Sequence, residues 1–238
     1  MVKRIAQLLA VCGLAAAAVA PAYAGSSATS VATSATACVG KPYSYAGLQS
    51  GSDAFGVSGT LVPTAAPAVR DGHVGAWVGV GGTSAGPGGA AEWIQAGLAA
   101  FTDDAASHMY YEVTAPGASP TYHEIAATVR VGESHRFAIL ELSGRPTWWR
   151  VWVDGAAVNR PIHLPGSHGT WAPQAVAENW NGGSGTCNGY AYEFSNLALA
   201  KQGGGWQPFT SNYVFQDPGY KVVQGSQPTR FLATSSAD

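Results

Sequence analysis

Thr147-Trp148-Trp149-Arg150-Val151-Trp152-Val153-Asp154-Gly155 is the stretch that decides the fold class. Side chains alternate across a strand. Trp149, Val151 and Val153 therefore share one face and Trp148, Arg150 and Trp152 the other, before Asp154-Gly155 signals a turn. The first set reads as a core face. The second sets a guanidinium between two indoles, suited either to cross-strand packing on an outer sheet face or to stacking on a ligand. Outward from this stretch the same rhythm recurs at 54–62, 74–80, 92–99, 108–113, 122–131, 136–142, 174–180 and 190–199, each run bounded by Gly, Pro, Ser or Asp clusters. Two further strands are expected around Tyr213 and Val222. No window carries an apolar stripe at helical spacing. So many short strands in one domain imply an all-β fold of two antiparallel sheets packed face to face. Within it Tyr110 and Glu112 share a face opposite Met109, Tyr111 and Val113, while Tyr190, Tyr192 and Phe194 line one face of the last long strand.

Composition narrows the function classes. The chain holds 31 Gly and 14 Pro in 238 residues, with 46% hydrophobic and 11% charged residues. Ordinary domains carry about 25% charged residues. The apolar content supplies a core, and the formal charge of −2 offers no basic field for nucleic acid. At the N-terminus, Lys3 and Arg4 precede an uncharged apolar run over 5–20, and Ala22-Tyr23-Ala24 supplies the small-x-small pattern of a signal-peptidase site. The expectation is a signal peptide over 1–24, a secreted protein, and no membrane segment once it is cleaved. Residues 25–52, opening on a Ser, Thr and Ala tract, read as a flexible leader or short pro-segment, 53–200 as the sandwich, and 201–238 as C-terminal strands and a polar tail packed on it. Cys12 leaves with the signal peptide. Cys38 and Cys187 remain, most simply as one disulfide in an oxidising compartment, with two free thiols as the alternative.

Most chemical motifs fail on context. His123-Glu124 lacks a second His four positions on, and the six histidines show no metal-ligand spacing, so each reads as a surface or turn residue and no metal is implied. Gly82-Thr83-Ser84-Ala85-Gly86 matches a nucleophile elbow as a string, but Pro87-Gly88-Gly89 follows where a helix must start, so it reads as a loop. What remains is two polar groups inside apolar strand sequence, Gln95 in Trp93-Ile94-Gln95-Ala96-Gly97-Leu98 and Glu178 in Ala175-Val176-Ala177-Glu178-Asn179-Trp180. In an arbitrary β-protein these are solvent-facing residues of half-buried strands.

The succession Ala76-Trp77-Val78-Gly79-Val80-Gly81, Ile94-Gln95-Ala96-Gly97-Leu98, Tyr110-Tyr111-Glu112, Ala126-Ala127-Thr128-Val129 and Ala177-Glu178 resembles, in order and spacing, the glutamic peptidases (eqolisins). The likeness runs from about Ala54 to Leu199. It implies a concanavalin-like jelly roll, in agreement with the strand pattern. It also implies Gln95 and Glu178 as a catalytic pair, with Trp77, Tyr110 and Glu112 as substrate-binding positions. Glu178 would take a proton from the attacking water and return it to the leaving amine, while the Gln95 amide donates to the oxyanion. The substrate is then a polypeptide and the working pH acidic; a monomer is expected, and no cofactor is called for. A reading from another class stays open: a non-catalytic, lectin-like sandwich binding carbohydrate or another surface polymer through Trp148 and Trp152. A glycoside hydrolase is a third, with Glu112 and Glu178 as its two carboxylates.

Overall fold

A computed structural model describes residues 41–235. The predicted signal peptide and Cys38, the predicted partner of Cys187, lie outside the described residues. Numbering strands in chain order, one sheet contains seven: β1 (Tyr43–Ser50), β3 (His73–Gly82), β4 (Glu92–Phe101), β5 (Ser107–Thr114), β6 (Thr121–Val129), β11 (Gln174–Trp180) and β14 (Asn212–Gln216). Their spatial order is β14-β1-β11-β3-β4-β5-β6. The second sheet contains nine: β2 (Gly56–Pro63), β7 (His135–Leu142), β8 (Arg145–Val153), β9 (Ala156–Ala157), β10 (Ile162–His163), β12 (Ala191–Ala200), β13 (Trp206–Pro208), β15 (Tyr220–Gln224) and β16 (Phe231–Ser235). Its main order is β10-β8-β7-β2-β12-β16-β15, with β13 beside β12 and β9 beside β8. The protein is an all-β, two-sheet antiparallel sandwich of the jelly-roll kind.

The strand signals in the sequence fall where they were read, β11 residue for residue and the others within a few residues at each end. The start of the sandwich is different. Residues 43–50, read as part of a leader, form β1, which pairs with β11 on one side and β14 on the other. Ala46 and Leu48 point into the core with no exposure, so this strand is integral to the sheet. Its Ser, Gly and Gln content and the low-complexity tract before it mask the alternation.

The core lies between the sheets. Val74, Ala76, Val78 and Val80 on β3, and Ile94, Ala96 and Leu98 on β4, supply the inner face of the seven-stranded sheet. From the other sheet Trp149, Val151, Tyr192 and Phe194 meet them, and Phe194 stacks on Phe231 at 4.4 Å. Each such side chain fully buried is worth about 1.5–3 kcal/mol. Two polar contacts are buried in this core: Trp149 Nε1 donates to Ser167 Oγ at 2.6 Å, and the Tyr192 and Ser107 hydroxyls meet at 3.0 Å across the two sheets. On the outer face of β8, Arg150 does not sit between two indoles. Its guanidinium lies 5.9 Å from the Trp152 ring, whereas Trp148 is covered by Arg145 at 4.3 Å and stacks on His163.

Candidate active site

The site occupies the face of the seven-stranded sheet turned away from the core. Because β3 alternates, residues 74, 76, 78 and 80 face inward, and His73, Gly75, Trp77 and Gly79 face the other way. In register with them lie Glu178 and Val176 on β11, Gln95 and Gly97 on β4, and Tyr110 and Glu112 on β5. Gln95 and Glu178 are thus on one face of one sheet, on strands separated by β3.

Glycines make room for them. Glu178 pairs with Gly75 and Gln95 with Gly79. A Cβ at Gly75 would come within 3.3 Å of Glu178 Cγ, and one at Gly79 within 3.0 Å of Gln95 Cβ. Between these positions runs the row Val176, Trp77, Gly97, Tyr110. At Gly97 a Cβ would meet the Ala76 carbonyl oxygen at 1.9 Å, so no other residue fits there. Both polar side chains lean on this row from opposite sides. Trp77 Nε1 donates to Glu178 Oε2 at 3.0 Å, and Gln95 Nε2 donates to the Tyr110 hydroxyl at 3.1 Å. Glu178 is 5% exposed and Gln95 6%, a setting in which hydrogen bonds and charges are felt more strongly than in water.

The other Glu178 oxygen meets a residue that sequence reasoning placed elsewhere. His73, expected as a surface or turn residue, is 2% exposed, with Nε2 3.2 Å from Glu178 Oε1. Tyr43, Phe101 and Trp180 pack around its ring. No motif joins positions 73 and 178; only the antiparallel pairing of β3 with β11 brings them together, so the residue carried no signal of its own.

A second carboxyl group completes the site. Glu112 pairs directly with Gln95 across β4 and β5 and has no exposure. Its Oε1 accepts from Trp93 Nε1 at 3.2 Å, while Oε2 is buried with no hydrogen-bond partner. Burial first, and the charge of Glu178 second, push the Glu112 carboxyl up to about 8, against the opposing hydrogen bond from Trp93. Burial, then Glu178 and Glu112, also raise the Tyr110 hydroxyl well above its ordinary value. Of the residues singled out in the sequence, Gln95, Glu178, Trp77, Tyr110 and Glu112 all gather here. Trp148 and Trp152 belong to the other sheet. Among the described residues, no three His, Cys, Asp or Glu side chains gather as a metal site.

No protein-family model matches the chain, and no curated protein matches its sequence. Among solved structures, it is similar to a Scytalido-glutamic peptidase bound to a peptide-based transition-state analogue, at TM-score 0.58 and 16% identity over 82% of this chain and 98% of that one. It is also similar to SCP-B, a member of the eqolisin family of peptidases in complex with the tripeptide Ala-Ile-His, at TM-score 0.55 and 15% identity over the same shares of each chain. A carbohydrate-binding module from Bacillus subtilis overlays less well, at TM-score 0.35 and 14% identity over 62% of this chain and 74% of that one. At these identities the likeness to the two peptidases establishes a shared fold.

Proposed function

We propose that this protein hydrolyses peptide bonds with Glu178 as general base and then general acid, and Gln95 as oxyanion donor. The observation that carries the reading is the convergence of these two side chains on the Trp77–Gly97–Tyr110 row. A carboxylate held by Trp77 and His73 through separate oxygens has a fixed orientation, which a base must have to take a proton from a water attacking a carbonyl. The same proton passes to the departing amine, so the residue ends the cycle as it began. The Gln95 amide carries two N–H bonds, of which one is engaged by Tyr110. The other is available to the oxygen of the tetrahedral intermediate, the type of contact worth about 3 kcal/mol in other hydrolases. Glu112, kept neutral up to about pH 8, adds no second negative charge where the oxyanion forms.

The peptidase-fold likeness supports this reading, and the stacking face supports the lectin-like one less well, since the Trp148 ring already contacts Arg145 and stacks on His163. The test is hydrolysis of denatured casein by the purified protein between pH 2 and 5. Acid proteolysis is the expected result; a folded protein that leaves casein intact across that range would end the reading and send the search to polysaccharides.

His73 is a positioning residue in this scheme. His73→Phe keeps a ring among Tyr43, Phe101 and Trp180 but removes the nitrogen that meets Glu178. A lost hydrogen bond to a charged group costs about 1.5–3 kcal/mol, so kcat should fall roughly tenfold or more while KM changes little. An unchanged kcat in a folded variant would show that Trp77 alone orients the carboxylate.

A further inference from the structure

Beside the catalytic face, β1 and β11 end under two loops and leave a cleft of about 560 Å³ that the scheme above does not use. Its floor is Gln49 and Gln174, which pair across β1 and β11, and Thr83, Ser84, Thr170 and the Trp171 ring stand around it. None of the lining residues carries a charge. The strand register links the cleft to the site: Gln174 pairs with Gly79, and Gly79 with Gln95, so one side-chain-free position separates them. With strands roughly 4.8 Å apart, Gln174 lies about 10 Å from Gln95 across the sheet, two or three residues of an extended peptide.

The walls are built rather than loose. Trp171 Nε1 donates to the Ala85 carbonyl at 3.2 Å, and Gly166 N donates to Glu92 Oε2 at 3.0 Å, so the segments leading into β4 and β11 are tied to each other. Glu92 has no exposure, and a Cβ at Gly166 would come within 2.4 Å of its carboxyl. Within these walls the Gln49 and Gln174 amides are half-buried and make no hydrogen bond to the described residues.

From these features, and resting on the peptidase reading, we infer that this cleft is a specificity subsite for an amide or hydroxyl side chain of the substrate, two or three residues from the scissile bond. A bound peptide displaces water from both amides. A Gln, Asn, Ser or Thr side chain replaces the lost hydrogen bonds, whereas Leu leaves them unmade, and Lys or Glu brings a charge with no counter-charge in the lining. Sites that hydrogen-bond a substrate group discriminate against analogues that lack it far more strongly than apolar pockets discriminate by size.

The test is binding without turnover. Alanine-based octapeptides carrying Gln, Leu or Lys at one position at a time are titrated into the Glu178→Gln protein by calorimetry, with side-chain amide signals followed by NMR. At one position the Gln peptide should bind about tenfold tighter than its Leu and Lys counterparts. The Gln49 and Gln174 amide signals should move, and Gln174→Leu should erase the preference. Gln49→Leu, on a different strand from Glu178, serves as the second variant. The proposal is overturned if no position shows the preference, or if it survives both substitutions. Because the readout needs no hydrolysis, the two readings can fail separately. A Gln preference without casein cleavage by the wild type keeps the cleft as a side-chain-selective peptide site and removes the peptidase reading; cleavage without the preference keeps the peptidase reading and removes the subsite.

Discussion

Replacing Glu178 with Gln is expected to lower kcat/KM on a peptide substrate at acidic pH by 10²- to 10⁴-fold, roughly the range assigned to a positioned general base. The substitution is nearly isosteric, and the new amide oxygen can still accept from Trp77 Nε1 as the carboxylate does at 3.0 Å. The fold should therefore persist, with thermal unfolding close to that of the wild type, which separates lost chemistry from lost structure. Neither Glu112 nor Tyr110 replaces the base: Glu112 is protonated up to about pH 8 and Tyr110 far beyond it. A folded Glu178→Gln protein retaining activity within tenfold of wild type would remove Glu178 from the mechanism.

Glu112→Gln should change how stability depends on pH. The Glu112 carboxyl is shifted from 4.5 to about 8 in the fold, chiefly by burial and then by the charge of Glu178. The folded state therefore holds a proton that the unfolded chain releases above about pH 4.5. Stability from this group is fully present below that point and declines as pH rises toward 8, at about 1.4 kcal/mol per pH unit. Across the whole interval the loss is on the order of 5 kcal/mol, comparable with the net stability of many domains. In Glu112→Gln the amide still accepts from Trp93 but does not ionise, so this decline should disappear. Urea unfolding at pH 5, 6, 7 and 8 checks it, and parallel curves for the two proteins would show that Glu112 does not hold its proton in the fold.

Much of the architecture could be read because alternation writes burial directly into sequence. In Gln174–Trp180, Ala175 and Ala177 face the core while Val176 and Glu178 face the site, and the strand appears residue for residue. Gln95 stands out as a polar side chain on a face whose other residues are Trp93, Gly97, Ala99 and Phe101, but alternation alone reads it as solvent-facing, and only the family resemblance gave it a role. His73 was not, because its meaning depends on a partner from a strand far along the chain. β1 was hidden by composition: Gly47 is required where a Cβ would come within 2.4 Å of the Ala175 carbonyl, and Tyr45 faces the site rather than the core. The Trp148–Arg150–Trp152 pattern predicted faces correctly and partners incorrectly, since the cation over Trp148 comes from Arg145 at the start of the same strand.

The position of β1 has a kinetic consequence. Residues 43–49 pair with 174–180, and 46–50 with 212–216, so the first described strand must wait for chain made much later before it can enter the sheet. Such long-range pairing dominates slow-folding β-proteins, whose rates fall in the millisecond-to-second range or beyond. Until β1 docks, β11 exposes a bare edge next to Glu178, an invitation to pairing with another chain. The step that closes this edge also brings Tyr45 opposite Glu178. Assembly of the candidate site and protection from aggregation are therefore a single late folding event, and this face is complete only once residues 43–49 have met 174–180.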